Sequence, residues 1–197
     1  MKSPIYWHPN IYRLVMKLLY GKYFEARYKC LSELIPPMTS VVEPCAGDAY
    51  LYRNYLKAKG TKYVGLDINP VFVQAAKKKN ISFFINDLLK DNVPVADYIV
   101  LQASLYQFMP HELKIIRKLL DSAKSTLIIA EPIRNLADSH NPIIRLLAKY
   151  SANPGGSNHP VKRFNKDTFH ACLKQFDEFK ELKIIDGGRE MIGVLRK

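Results

Sequence analysis

The first part of the chain carries apolar residues at the spacing of an α-helix. They recur every three or four positions between residues 11 and 19, after Pro9, which suits the first turn of a helix. A second run with the same spacing lies between residues 24 and 35 and stops at Pro36-Pro37. The pattern predicts two helices, which we expect to form an N-terminal cover, residues 1–38, on the rest of the chain.

Beyond residue 38, short apolar runs alternate with amphipathic segments. The runs predict five strands, at Ser40–Glu43, Lys62–Leu66, Ser82–Ile85, Tyr98–Gln102 and Thr126–Ala130. The segments between them predict helices at about 50–59, 70–79 and 110–120. Strands that alternate with helices in this way are typical of a parallel sheet that is covered by helices on both faces.

The end of the chain follows a different pattern. Asn165 is a suitable N-cap for one more helix, and two further strands are predicted at Leu182–Ile185 and Met191–Leu195. The loop between these strands is too short to hold a crossover helix, so the two strands should be antiparallel. We therefore expect one α/β domain over residues 1–197, with a seven-stranded, mostly parallel sheet and a C-terminal antiparallel hairpin in its core, 39–197.

One connection is longer than such a fold usually needs. It spans about 133–163, after the fifth strand, and is expected to hold a helix at Pro142–Tyr150. Long insertions at the ligand-binding edge of a sheet often act as lids or substrate loops. Its basic residues include Arg134, Arg145, Lys162 and Arg163. We expect a lid that favours an anionic ligand.

Composition narrows the classes of protein. The chain has 30 lysines and arginines against 18 acidic residues, a net charge of +12, which favours anionic partners such as a phosphorylated small molecule, a membrane surface or nucleic acid. Its three cysteines are widely spaced and form no CxxC pair, which argues against a disulfide framework and a zinc site. No apolar run is long enough to span a bilayer and no signal peptide is recognisable, so a cytoplasmic location is expected.

Acidic residues follow three successive strands. Glu43 ends the first strand and is followed by a loop of small residues up to Ala49; Asp67 ends the second strand, and Asp87 follows the third. Ligands of open α/β sheets bind beyond the carboxyl ends of the strands, where a loop of small residues lets the backbone approach them. An acid after the second strand suits the two hydroxyls of a ribose, and Asn69, rather than Asp67, suits the N-cap of the helix that begins at Pro70.

With these motifs the chain resembles the class I S-adenosylmethionine-dependent methyltransferases, from about Ser40 to its end. The family's first motif is an acid followed by glycines at alternate positions; here these positions are Glu43, Cys45, Gly47 and Ala49, so one glycine remains. The resemblance implies a Rossmann-like fold, S-adenosylmethionine as cofactor and S-adenosylhomocysteine as product. The cofactor-binding residues that it implies are Glu43, Cys45, Ala46, Gly47, Asp67, Ile68, Asp87, Leu88 and Gln102.

The resemblance also assigns these residues to parts of the cofactor. Glu43, Gln102 and the backbone of Ala46 and Gly47 would hold the methionine end. Asp67 would bind the ribose. Ile68 would pack on the adenine, whose amino group Asp87 would bind.

Two other classes remain open at this stage. A nicotinamide dinucleotide protein also uses a glycine-rich turn and an acid after the second strand, but here the loop is not GxGxxG and no second domain is predicted. A cofactor-binding module without catalytic activity is the third reading.

The sequence defines the molecule that would accept the methyl group less well than it defines the cofactor. Methyltransferases that act on the exocyclic amines of bases carry an (Asp/Asn/Ser)-Pro-Pro-aromatic motif after the fourth strand, where this chain has Ala103-Ser104-Leu105-Tyr106. We therefore expect a small-molecule acceptor with an oxygen or nitrogen nucleophile, with an RNA acceptor as runner-up. The aromatic, basic N-terminus leaves a lipid-like or quinone-like acceptor and peripheral membrane contact open. The catalytic candidates are Arg134, Tyr106, His140 and His159.

Overall fold

The computed structural model of the protein describes residues 7–134 and 163–197. In these residues one seven-stranded sheet has the order β3-β2-β1-β4-β5-β7-β6. The strands are β1 Ser40–Pro44, β2 Lys62–Asp67, β3 Phe83–Ile85, β4 Ala96–Gln102, β5 Ala123–Pro132, β6 Phe179–Ile184 and β7 Glu190–Arg196. The helices are α1 Pro9–Tyr20, α2 Phe24–Glu33, α3 Pro70–Lys77, α4 Glu112–Ser122 and α5 Lys166–Leu173.

The sheet confirms the predicted topology. Strands β1 to β5 pair in parallel, whereas β7 is antiparallel to both β5 and β6. The strand order reverses between β1 and β4, because the chain first builds outward to β3 and then returns to the other side of β1. Such a reversal opens a crevice at the carboxyl edge of the sheet, where ligands of this architecture bind.

The helix predicted at 50–59 has an unexpected geometry. Its central part, Tyr52–Leu56, is a π-helix, and Lys57–Lys59 forms a 3-10 turn that ends at Gly60 in the left-handed conformation. The side-chain amide of Asn54 donates to the carbonyl of Tyr50 at 2.9 Å. That carbonyl is the acceptor that an α-helix would offer to the backbone N–H of Asn54, so the side chain competes with the regular ladder.

Helix α2, which belongs to the predicted cover, contributes side chains to the core. Leu31 and Ile35 are completely buried, in the same apolar cluster as Val41 of β1. Burial of such a side chain stabilises a fold by about 1.5–3 kcal/mol. A deletion of residues 1–35 would therefore remove core side chains together with the N-terminal cover.

Most of the predicted lid lies outside the described residues. This applies to His140, His159, Arg145, Lys162 and the helix predicted at Pro142–Tyr150. Within 7–134 and 163–197, no helix has the length and apolar character that a bilayer crossing requires.

Candidate active site

The loop after β1 adopts a backbone conformation that normally requires glycine. Cys45, Gly47 and Ala49 have φ angles of 55°, 56° and 55°. A left-handed φ costs an L-residue roughly 1–2 kcal/mol, and glycine avoids this cost. The alternate positions of the glycine motif therefore keep its shape, although two of them carry other small residues.

Asp67 joins this loop to the end of β2. One carboxylate oxygen accepts from the backbone N–H of Gly47 and the other from the N–H of Asn69, both at 2.8 Å. The side chain of Asn69 accepts from the N–H of Val71 at 3.1 Å and caps α3, as the sequence predicts. Capping by Asn69 leaves the carboxylate of Asp67 at the carboxyl edge of the sheet, beside the loop.

Glu43 and Gln102 meet between the central strands. The amide nitrogen of Gln102 donates to one carboxylate oxygen of Glu43 at 2.5 Å, and the hydroxyl of Tyr63 donates to the other at 2.6 Å. Burial raises the pKa of Glu43 to about 7, against the opposing effect of these two donors. The oxygen of the same side-chain amide, Oε1 of Gln102, is buried and has no hydrogen-bond partner among the described residues. The pair thus presents acceptors that suit a cationic donor.

The residues expected at the adenine differ in how accessible they are. Ile68 is 61% exposed just beyond β2 and can pack against a flat ring. Asp87 is partly exposed, and its carboxylate accepts from the backbone N–H of Leu89 and pairs with Lys90, whose hydrogen bond lowers the pKa of Asp87. Leu88 is 4% exposed within the core, so only its backbone is left to contact a ligand.

Tyr106, which follows β4, packs against Arg163. The guanidinium of Arg163 lies 4.4 Å from the centre of the Tyr106 ring. Burial raises the pKa of Tyr106, so this phenol stays neutral near pH 7 and suits the orientation of a substrate better than the removal of its proton. Neither Arg163 nor Arg134 forms an ion pair with another described residue.

Glu131 is a buried acid that the sequence analysis did not single out. It is fully buried at the end of β5, and one carboxylate oxygen accepts from the backbone N–H groups of Ser104 and Leu105, both at 2.7 Å. Burial raises the pKa of Glu131 to about 8. Its other oxygen has no partner within the described residues. The sequence signal that could have identified this residue is an acid directly after the apolar run of the fifth strand.

Helix α1 lies directly on the loop after β1. Arg13 pairs with Asp48 at 2.5 Å, and the ring of Tyr12 is so near that a Cβ added to Gly47 would lie 3.7 Å from it. The sequence analysis did not single out Asp48, because this residue lies in the loop but at none of the alternate positions of the glycine motif. The contact shows that the N-terminal segment reaches the candidate cofactor loop.

A buried ion pair joins α2 to β7. Arg27 donates to Glu190 at 2.5 Å, and both residues are buried. The Arg27 guanidinium also lies 4.9 Å from the centre of the Tyr28 ring and 5.5 Å from that of Tyr20. This cluster fixes the N-terminal helices to the C-terminal hairpin at the same edge of the sheet.

Solved structures share the fold of this chain. No protein-family model and no curated protein matches the sequence. A proposed methyltransferase of Haloferax volcanii, solved in complex with the Trm112 methyltransferase activator, is similar with a TM-score of 0.70 and 14% identity over 100% of this chain and 98% of that one. Magnesium protoporphyrin IX methyltransferase of Synechocystis PCC 6803, solved with bound SAH, has a TM-score of 0.63 and 14% identity over 94% of each chain.

A third similar structure is larger than this chain. It is an O-methyltransferase family 2 protein of Planctomyces limnophilus, in complex with apigenin, with a TM-score of 0.63 and 13% identity. The match covers 96% of this chain and 61% of that one, so the chain spans about three fifths of its length. At these identities the comparisons establish that the chain has the fold of solved methyltransferases.

Proposed function

We propose that the chain is an S-adenosylmethionine-dependent methyltransferase that acts on an oxygen or nitrogen nucleophile of a small, negatively charged molecule. The observation that supports this most directly is the position of Glu43, Asp67 and Gln102. They lie at the carboxyl ends of β1, β2 and β4, which are neighbours in the sheet. Their chemistry suits an ammonium group and a ribose, and the fold is one that solved methyltransferases use.

The hydrogen-bond acceptors of Glu43 and Gln102 fit the methionine end of the cofactor. Its ammonium group carries donors for the carboxylate of Glu43 and for the unpartnered carbonyl oxygen of Gln102. A cation at this place would also compensate the burial that raises the pKa of Glu43.

Three residues suit the nucleoside end of the cofactor: Asp67, Ile68 and Asp87. The carboxylate of Asp67 can accept the ribose hydroxyls while it holds the N–H of Gly47, because each of its oxygens has two lone pairs. Ile68 offers an exposed apolar side chain to the adenine, and Asp87 offers an acceptor to its amino group.

The bound cofactor supplies a methyl group that is already activated on a sulfonium. The protein's share of catalysis is then the alignment of the acceptor and the exclusion of water. Tyr106 is a buried hydroxyl that can orient a nucleophile. Cys45 is not needed as a nucleophile, and burial raises the pKa of its thiol, which keeps the thiol protonated.

Two arginines support an anionic acceptor. Arg134 and Arg163 stand at the two ends of the segment 135–162, at the carboxyl edge of β5 and beside Tyr106. Neither forms an ion pair with an acid among the described residues. A guanidinium holds a carboxylate or phosphate by two parallel hydrogen bonds, which aligns the rest of the molecule.

Calorimetry with S-adenosylmethionine, S-adenosylhomocysteine and NAD tests the cofactor. Binding of the first two and not of NAD is expected. NAD binding without S-adenosylmethionine binding would instead establish the dinucleotide reading. Binding of S-adenosylmethionine without methyl transfer to any cell fraction would favour a non-catalytic module.

The acceptor class is tested with radiolabelled cofactor and fractions of a cell extract. We expect label in soluble anionic metabolites, whereas label in RNA or lipid would establish one of the alternative acceptors.

Once an acceptor is known, Arg134→Gln and Arg163→Gln should lower kcat/KM. The matched control is Arg196→Gln, an exposed arginine at the opposite edge of the sheet. An acceptor without negative charge would contradict the role of the two arginines.

A further inference from the structure

The apolar surface of helix α1 is only partly covered by the rest of the protein. Val15 and Leu19 are buried against the domain. The neighbouring, solvent-facing side carries an apolar stripe whose exposed fractions are 61%, 48%, 60% and 59% for Trp7, Ile11, Leu14 and Leu18. The spacing of three and four residues aligns Ile11, Leu14 and Leu18 along one side of the helix, and Trp7 lies just before the helix begins. A contiguous exposed patch of this kind marks an interaction surface.

The charged residues of the segment that carries the stripe are all basic. The first 24 residues contain no aspartate or glutamate, and Lys17 and Lys22 are exposed beside the stripe. Arg13 is turned the other way, toward Asp48 of the cofactor loop. An apolar stripe whose own segment carries basic and no acidic side chains is complementary to an anionic lipid surface, where the apolar residues enter the acyl region and the lysines meet the headgroups.

A second copy of the chain fits this surface less well. A symmetric contact through the stripe would bring together two surfaces that both carry Lys17 and Lys22, on molecules with the same net charge of +12. Like charges brought together in this way weaken association. An anionic bilayer turns the same charges into attraction.

We propose that α1 is a docking helix that lies in the interface of an anionic phospholipid bilayer, with Trp7, Ile11, Leu14 and Leu18 inserted and Lys17 and Lys22 at the headgroups. Because the other face of α1 contacts Gly47 and Asp48, docking places the candidate cofactor loop about one helix diameter, roughly 10 Å, from the lipid. The proposal concerns the surface alone and does not depend on the activity of the site.

Co-sedimentation of the full-length protein with vesicles tests the proposal. Vesicles that contain phosphatidylglycerol should bind the protein at low salt, whereas vesicles of pure phosphatidylcholine should bind it weakly. Added salt should weaken the binding, since screening reduces the attraction of the lysines. Absence of binding to the anionic vesicles would overturn the proposal.

Single substitutions locate the surface. Leu14→Glu or Leu18→Glu should each lower the affinity for anionic vesicles by about tenfold or more, because a charge replaces an inserted side chain. The matched control is Val95→Glu, which alters an equally exposed apolar residue just before β4, at the amino edge of the sheet. Equal losses in all three variants would contradict the assignment to α1. Lys17→Gln should weaken only the salt-sensitive part of binding.

Two further measurements separate this proposal from its rivals. Light scattering without lipid should show a monomer, and a dimer that Leu14→Glu dissociates would identify a second copy as the occupant and overturn the proposal. Calorimetry with S-adenosylmethionine should give the same affinity for Leu14→Glu as for the unaltered chain. Vesicle binding without cofactor binding would leave the docking helix in place and overturn only the proposed function.

Discussion

The side chain of Gln102 donates its amide hydrogen to the carboxylate of Glu43 across β4 and β1, and its own carbonyl oxygen stays buried without a partner among the described residues. A buried acceptor that lacks a donor is costly, by about 1–3 kcal/mol. A ligand that supplies the donor recovers this free energy on binding. The geometry therefore favours a cationic donor at this point of the cleft.

Cofactor affinity should depend on the protonation of Glu43. With a pKa of about 7, Glu43 is increasingly protonated as the pH falls from 7 toward 5, and a neutral carboxyl group binds an ammonium weakly. The affinity for S-adenosylmethionine should fall by up to about tenfold per pH unit over this range. Calorimetry across the range measures it. Glu43→Gln should bind weakly at every pH, and a variant with the original pH dependence would exclude Glu43 as its source.

Asp67→Ala should weaken the binding of S-adenosylmethionine by about 1–3 kcal/mol, since buried polar groups of the ligand lose their acceptor. The same change releases the N–H groups of Gly47 and Asn69, so the melting temperature should fall as well. Calorimetry on folded protein separates the two effects. Asp67→Asn keeps one carbonyl oxygen as acceptor and should have an intermediate affinity. An unchanged affinity of the folded alanine variant would refute the ribose assignment.

Position 45 should tolerate glycine and reject a β-branched residue. At a φ of 55°, Cys45→Gly removes backbone strain while it loses a small side chain, so the free energy of unfolding should change by less than about 1 kcal/mol. Cys45→Val should lower it by more than that, because branching at Cβ makes a left-handed φ worse. Urea unfolding measures both. Cys45→Ala should retain most activity, and loss of turnover with intact cofactor binding would show a chemical role for the thiol.

Arg27 and Glu190 should be strongly coupled. Removal of one partner by Arg27→Met or Glu190→Gln leaves an uncompensated buried group and should cost about 3–5 kcal/mol of unfolding free energy. The double variant should be more stable than the sum of the single losses predicts. A double-mutant cycle by urea unfolding measures the coupling. Additive losses would mean that the pair contributes little to the attachment of α2 to the hairpin.

Glu131 should make the protein less stable as the pH rises. Its pKa is about 8 in the folded chain and near its ordinary 4.5 when unfolded, so the folded state retains a proton that the unfolded state releases between these values. Stabilisation by this group is complete below pH 4.5 and is lost as the pH rises through 8. Glu131→Gln, which keeps an acceptor for Ser104 and Leu105, should therefore gain melting temperature relative to the unaltered chain as the pH is raised.

Thermal melting at several pH values measures this difference. Each kcal/mol corresponds to roughly 2–4 °C for a domain of this size. Glu43 contributes a slope of the same sign, but it is present in both proteins and cancels in the comparison. A constant difference between pH 5 and pH 9 would contradict the raised pKa of Glu131.

Several features of the fold could be predicted because they depend on local pattern. The apolar period indicated the helices, strands and the closing hairpin, and Asn69 and Asn165 cap helices as expected. The π-helix at Tyr52–Leu56 was not predicted, because the sequence of this segment has an ordinary helical pattern.

The candidate site likewise has features that the sequence predicts and features that it does not. Sequence alone determined that Glu43, Asp67 and Asp87 lie at one edge, because the carboxyl ends of parallel strands share an edge. It did not determine that Leu88 is buried.

Only the tertiary structure decided which groups meet. It joins Arg13 to Asp48, 35 positions along the chain, and Arg27 to Glu190, 163 positions along. It also decided that Glu131 is sealed in the core, where burial by distant side chains raises its pKa to about 8. Local pattern sets the period of burial along each segment, whereas the loss of water around a charge depends on every segment that packs against it.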